Sequence, residues 1–219
     1  MDNAGVLGAT PLFGGLGERE LAGLAGRSTA RRLRRGQLLF VEGELSEHLY
    51  VVASGRVKVL VTSPRGEELL LSVVGPGDAL GELSVLDGLP RSATAEAIED
   101  TTLVSVPSVV VAELLASSPG LALSWAQELS ASVRRLTGST SDLVFLDLPR
   151  RLAKFLLGAD SGGTVELGLS QSELAARLGV ARQSLNRALS SLQNRGWVRV
   201  DGARVVIHDR PALERFSSS

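Results

Sequence analysis

The sequence predicts an α+β chain in three parts: a jelly-roll-like β-barrel, a long helix, and a C-terminal winged helix-turn-helix. Three observations predict it. Short apolar or alternating runs broken by Gly and Pro turns fill the stretch from about Thr29 to Val106. One apolar stripe of period near 3.6 then runs from Leu121 to Leu143, and two short helical segments follow across a Gly turn, ahead of two strands around Asp201-Gly202. Period 2, then 3.6, then helix-helix-hairpin is a change of architecture along one chain.

A short helix over about Glu18–Ala25 comes first. Strands are predicted at Gln37–Val41, Leu49–Val52, Val57–Val61, Leu69–Val74 and Thr101–Val106. Between them lie Glu42-Gly43-Glu44, Ser54-Gly55, Pro64-Arg65-Gly66 and Gly75-Pro76-Gly77-Asp78, where Gly supplies positive φ and Pro presets a turn. Many short strands at close spacing predict a barrel or sandwich.

After Pro107 the pattern turns helical, first to about Leu115 and then, past Pro119-Gly120, to about Phe145. Leu121, Trp125, Leu129, Val133, Leu136, Thr140 and Leu143 recur every three or four positions and mark one face. Such a stripe fits a two-stranded dimer seam, or packing of the helix onto its own barrel. Gly138-Ser139-Thr140-Ser141 are poor helix formers and weaken it locally. Asp147-Leu148-Pro149 then combines a good N-cap with a proline suited to a first helical turn. The expected divisions are a barrel domain over 1–118, the dimerisation helix and hinge over 119–148, and the winged helix-turn-helix over 149–219.

The chain has 219 residues, enough for two modest domains, and its composition, 44% hydrophobic and 21% charged, is that of a folding globule. No apolar run reaches the ~18 to 20 residues a bilayer needs, and the first residues lack the layout of a secretory signal, so a cytoplasmic location and no membrane partner are expected. With no cysteine, disulfides, thiolate zinc, iron–sulfur clusters and a cysteine nucleophile are excluded. His48 and His208 are the only histidines and nothing pairs them, so no metal and no enzymatic activity is expected. Before Pro149 there are 12 Lys plus Arg against 18 Asp plus Glu; from it onward the counts are 11 and 6, so the halves carry −6 and +5. A basic segment on a near-neutral chain points to an anionic partner for that segment, nucleic acid being the usual one; charge scatter is the other reading.

Within the basic half, Ser170 fits an N-cap and Glu173 completes a capping box, with Leu174, Ala175 and Leu178 apolar. Gly179 ends that helix and a second runs over Arg182–Asn194, burying Leu185, Leu189 and Leu192. Arg182, Gln183, Ser184, Asn186, Arg187 and Ser190 are then left for a partner, and Ser170 and Gln171 stand at the start of the first helix. Arg can fork onto guanine and Gln onto adenine, each pair worth ~1 to 3 kcal/mol of discrimination. A plain helical hairpin with a solvated face would show the same periodicity. The hairpin that follows, with Arg199 and Arg204, makes it a helix-turn-helix with a wing.

At these residues the chain resembles the bacterial cAMP receptor protein family, the Crp/Fnr regulators, over essentially its full length. Gly81-Glu82-Leu83-Ser84-Val85-Leu86 with Pro90-Arg91-Ser92-Ala93-Thr94 looks like a cyclic-nucleotide phosphate-binding cassette, and Leu178 to Arg187 looks like the family's recognition segment. Phe145-Leu146-Asp147 sits at the family's hinge. The resemblance implies that Arg91 and Ser92 hold a cyclic phosphate and that Glu82 accepts from the ribose 2′-hydroxyl. It implies that the Gly81 and Ala93 backbone closes the pocket, with Leu83 in the cassette, and that Leu136 and Thr137 touch the base. Without it, the same segment reads as a barrel turn with an Arg91–Glu82 ion pair.

The function so implied is a ligand-responsive transcriptional regulator, a homodimer on a palindromic double-stranded DNA site, with cAMP or a related cyclic nucleotide as effector and RNA polymerase as a further partner. Ligand near Thr137 would firm the Gly138–Ser141 turn and move the reading helices about the Phe145–Pro149 hinge, setting them ~34 Å apart. Leu136 departs from the polar residue cAMP binders carry, which leaves another ligand or an apo-active protein open. Gln183 replaces a common Glu and shifts the expected half-site toward adenine. Two other classes are a cupin-like enzyme, which lacks the histidines it needs, and a nucleotide-sensing adaptor whose tail binds protein.

Overall fold

The computed structural model describes residues 2–160, 162–167, 169–201 and 204–218. Its contacts separate two compact units, Met1–Thr62 with Leu71–Arg134, and Ser63–Leu70 with Arg135–Ser219.

The first unit begins with helix α1 (Asn3–Gly8), capped by the Asp2 carboxylate, a 3-10 turn at Pro11–Phe13 and helix α2 (Glu18–Gly26). The strands are β1 (Thr29–Leu33), β2 (Leu38–Phe40), β3 (His48–Ser54), β4 (Val57–Thr62), β5 (Glu68–Val74), which enters this unit at Leu71, β6 (Ala79–Leu80), β7 (Thr94–Ala97) and β8 (Thr101–Pro107). They form two four-stranded sheets, β1-β8-β3-β6 and β2-β7-β4-β5, the jelly-roll-like sandwich expected. Helix α3 (Glu82–Asp87) sits between β6 and β7.

The period-2 rule divides β3 and β8 between two cores. Tyr50, Val52 and Leu103 join Leu39, Phe40, Val57 and Ala95 between the sheets. Their neighbours Leu49, Val51, Val104 and Val106 face outward against the helical layer, with Leu7, Phe13, Leu24, Val110 and Val111. That layer is completed by α4 (Ser108–Ser117) and by the first turns of α5 (Pro119–Phe145). Leu121 and Trp125, read as the first rungs of a dimer seam, are 0% and 1% exposed in this core, Trp125 edge-on to Phe13 at 6.5 Å between ring centroids. This corrects the seam at its N-terminal end: side chains enclosed by their own protomer have no surface left for a partner. Leu129 is half-buried, and only from Val133 onward is the stripe exposed, with Val133, Leu136 and Leu143 at 61%, 63% and 56% exposure and Thr140 exposed. Helix α5 runs unbroken through Gly138–Ser141, where Thr140 Oγ1 donates to the Leu136 carbonyl at 2.9 Å.

The second unit holds α6 (Leu148–Gly158), β9 (Thr164–Glu166), α7 (Gln171–Arg177), α8 (Arg182–Asn194), β10 (Val198–Asp201), β11 (Arg204–Ile207) and α9 (Arg210–Ser218). Asp147 caps α6 by accepting from the Arg150 N–H at 3.0 Å, with Pro149 in the first turn. The sheet order is β10-β11-β9, with Asp201 opposite Arg204; the Gly202 half of the expected Asp-Gly turn lies outside the described residues. One core gathers Leu152 and Leu156 of α6, Leu174 of α7, Leu185, Leu189 and Leu192 of α8, Val205 of β11 and Leu213 of α9.

Candidate functional sites: a buried arginine and a nucleic-acid interface

In the first unit the cassette is built around one arginine. Gly81 adopts φ +84°, a left-handed conformation, as it turns the chain from β6 into α3. The Arg91 backbone is pinned to the loop after β2: its N–H donates to the Glu44 carbonyl and its carbonyl accepts from the Gly43 N–H, both at 2.8 Å. The side chain therefore enters the barrel, where the residue is only 4% exposed. There Nη1 donates to the Gly81 carbonyl at 3.1 Å and Nη2 to the His48 carbonyl at 2.7 Å. The guanidinium carbon lies 4.1 Å from the Phe40 ring centroid and 5.6 Å from that of Tyr50. A Cβ at position 81 would collide with Arg91 Nη1, so glycine is required there twice, for its φ and for its bareness.

No ion pair between Arg91 and a carboxylate forms among the described residues, so the Arg91–Glu82 pair is not the structure's solution: both terminal nitrogens go to carbonyls instead. Burial pushes Arg91 below the ordinary guanidinium value, while Tyr50, Glu82 and Glu44 act the other way; the group stays a cation at neutral pH. Glu82 is half-buried and its carboxyl is pushed up, first by burial and also by Glu128 of α5, against the pull of its own backbone N–H and of Arg91. Ser92 is exposed, Ala93 buried, and Leu83 is 44% exposed on α3. Arg91, Glu82, Gly81, Ser92 and Ala93 thus share one region of the barrel, whereas Leu136 and Thr137 stand on α5 beyond this unit's last residue, both exposed. The residues that periodicity and motifs missed are Phe40, Tyr50 and the His48 carbonyl, all distant in sequence from Arg91.

In the second unit α7 and α8 pack across Gly179, which takes φ +65°. The capping box at Ser170 is formed: its hydroxyl accepts from the Glu173 N–H at 3.2 Å, and Glu173 Oε2 accepts from the Ser170 N–H at 2.7 Å. That oxygen holds the helix, while the O–H remains able to donate. Along α8, Arg182, Gln183, Asn186, Arg187 and Ser190 are exposed while Leu185, Ala188, Leu189 and Leu192 are buried, so one polar face is free of the core. Arg182 Nη2 reaches Gln171 Oε1 at 3.4 Å across the turn, and Arg187 Nη2 donates to Ser184 Oγ at 3.1 Å. Among the described residues neither arginine is tied to a carboxylate, and both keep donors for base edges and phosphates. Two supports lie outside the helix-turn-helix motif. Arg151 Nη1 donates to the Leu178 carbonyl at 3.0 Å, fixing the turn from α6, and α9 closes the domain through Phe216, 5.2 Å from Trp197.

No cluster of potential metal ligands occurs among the described residues, and no single helix among them is long and apolar enough to cross a membrane. Comparison with known proteins assigns residues 30–118 to the cyclic nucleotide-binding domain and residues 150–216 to the Crp-like helix-turn-helix domain. A CRP-like cAMP-activated global transcriptional regulator of Mycobacterium tuberculosis is 34% identical, over 96% of this chain and 97% of that one. The cyclic AMP receptor protein of Thermus thermophilus is 32% identical over 95% and 97%. Among solved structures, a CooA mutant from Carboxydothermus hydrogenoformans superposes with a TM-score of 0.78 at 25% identity, covering 89% of this chain and 90% of that one.

Proposed function

The chain belongs to the Crp/Fnr family of ligand-responsive, DNA-binding transcriptional regulators, and on that premise we propose that its effector is a purine cyclic nucleotide, cyclic AMP before cyclic GMP. The observation that carries this reading is Arg91, a buried cation whose terminal nitrogens bond to carbonyls and whose face lies on aromatic rings, with no carboxylate in ion-pair contact among the described residues. A cyclic phosphodiester bears a single negative charge and supplies what that guanidinium lacks, through a charge-assisted bond. The donor set fits: Arg91 and the exposed Ser92 hydroxyl for the phosphate, Glu82 for a ribose hydroxyl, the Gly81 and Ala93 backbone as walls, and Leu83 at the rim. Leu136 and Thr137 are assigned to the base by family likeness. Leu136 has no polar atom for the adenine edge, which favours as a second reading a relative that answers to another ligand or to none.

The output is proposed to be a homodimer on a palindromic double-stranded site. The seam runs through Leu129, Val133, Leu136, Thr140 and Leu143; Arg182, Gln183 and Arg187 read base edges, with Ser170, Gln171, Ser184 and Asn186 beside them. Organised as 1–118, 119–148 and 149–219, the chain acts by binding rather than catalysis, in the cytoplasm, with RNA polymerase as its downstream partner. Titration calorimetry of the purified protein with cyclic AMP and cyclic GMP, beside Arg91→Ala, tests the effector. Heat with the adenine nucleotide that the variant lacks supports the assignment, and no heat with either nucleotide on the wild type ends it.

A further inference from the structure

The compensation of Arg91 has an unusual source. A cation this deeply enclosed ordinarily pairs with a carboxylate, because burial of a lone charge is costly. Here its two hydrogen bonds go to the Gly81 and His48 carbonyls, and its face lies on Phe40, with Tyr50 second. The two rings are themselves stacked, 6.1 Å apart at 29°. Tyr50 is held in place by Arg31, whose Nη1 donates to the phenol oxygen at 3.1 Å. Phe40 has no polar atom, so it can stabilise the guanidinium only through the negative face of its ring and by contact. Carboxylate pairing would have neutralised Arg91 and made it a poor anion receptor; a ring stabilises the charge without cancelling it. Two carbonyls use two of the five N–H donors, which leaves three.

We infer that Phe40 is a positioning residue for the ligand, a π platform that holds the Arg91 guanidinium preorganised in the pocket and thereby sets affinity for the anion. The inference rests on the cyclic-nucleotide reading above and deepens it. Phe40 does not touch the ligand on this account; it acts through Arg91, with Tyr50 as the weaker second face. Arg91 is already held by two carbonyls and a ring, so its side chain does not have to be immobilised at the moment of binding.

The test separates a platform from a core side chain. Phe40 is replaced, by nonsense suppression in the full-length protein, with mono-, di- and trifluorinated phenylalanines, which keep the shape of the ring while draining its negative face. Cyclic AMP affinity is measured by calorimetry and melting temperature by calorimetric scanning. The dissociation constant should rise stepwise with fluorination, reaching roughly five- to thirtyfold for the trifluoro ring. Phe40→Leu should match the trifluoro ring in affinity. Affinity flat along the series overturns the inference while leaving the effector standing, because Phe40 would then be packing alone. Affinity that tightens with fluorination also overturns it, since Arg91 would then have to leave the ring to meet the phosphate. Wild-type protein that takes up no cyclic AMP overturns the effector assignment and the inference together.

Discussion

The two units hold arginines in opposite ways. Arg91 is 4% exposed, with both terminal nitrogens and one face engaged before any ligand arrives, whereas Arg182 and Arg187 stand in the open on α8, loosely bonded to Gln171 and Ser184. A small anion offers little contact area, so its site must be prepared in advance. A duplex offers a long row of phosphates and base edges, so the side chains that meet it can stay mobile until contact. The contrast predicts different responses to substitution and to salt. Exposed cations should give steeply salt-dependent association, and the enclosed one should not.

The largest effect should come from Gly81→Ala. A left-handed alanine costs ~1 to 2 kcal/mol, and displacing Arg91 forfeits a charged hydrogen bond worth ~1.5 to 3 kcal/mol. Calorimetry should show cyclic AMP affinity reduced at least tenfold, while salt-dependent association with random duplex, followed by anisotropy without nucleotide, is retained. Equal loss of both would mean that the pocket and the reading helix do not divide the work as proposed. Next, Arg187→Ala should lower discrimination between a palindromic site and random duplex by ~1 to 3 kcal/mol, measured by competitive retardation, with the melting temperature held. Unchanged selectivity would place base reading elsewhere.

Ser170→Ala sharpens the comparison from the structural side. Its hydroxyl caps α7, so the substitution should remove ~1 kcal/mol of stability in denaturant unfolding and barely alter half-site preference. The smallest effect should be that of Glu82→Gln. Burial raises the carboxyl's pKa, so the folded chain holds this proton to higher pH than the unfolded chain does. Stability then declines as pH climbs from the ordinary value of 4.5 through the raised one, and stays lower above it. The variant should therefore melt slightly higher than wild type at neutral pH, with the gain fading toward pH 4.5.

Legibility in the sequence followed the range of the interactions. The boundaries of α8, the Asp147 cap and the Ser170–Glu173 box were readable because each is written in four or five consecutive residues. Helix α9 carries the same kind of signal, Asp209 accepting from the Ala212 N–H with Pro211 between them, and went unread. Strand β7 was not readable. Thr94-Ala95-Glu96-Ala97 has little β propensity, and β2 and β4 on either side make it a strand. The stripe on α5 was visible but its partner was not. Periodicity reports that a face is apolar without saying what covers it, and here the face changes cover between Trp125 and Val133. Arg91 was singled out, yet its setting on Phe40 and the His48 carbonyl depends on strand pairing, which no local motif records.

The burial of Leu121 and Trp125 bears on how the protein can be dissected. A sensor fragment ending at 118 would expose Phe13 where the indole now covers it and open a void the size of a tryptophan and a leucine, a defect of several kcal/mol by the cost of large-to-small changes in a core. The shortest version able to stand alone must therefore carry the opening turns of α5 past Trp125. For the intact protein the same anchorage makes the opening turns of α5 a structural part of the barrel unit rather than of a separate connector.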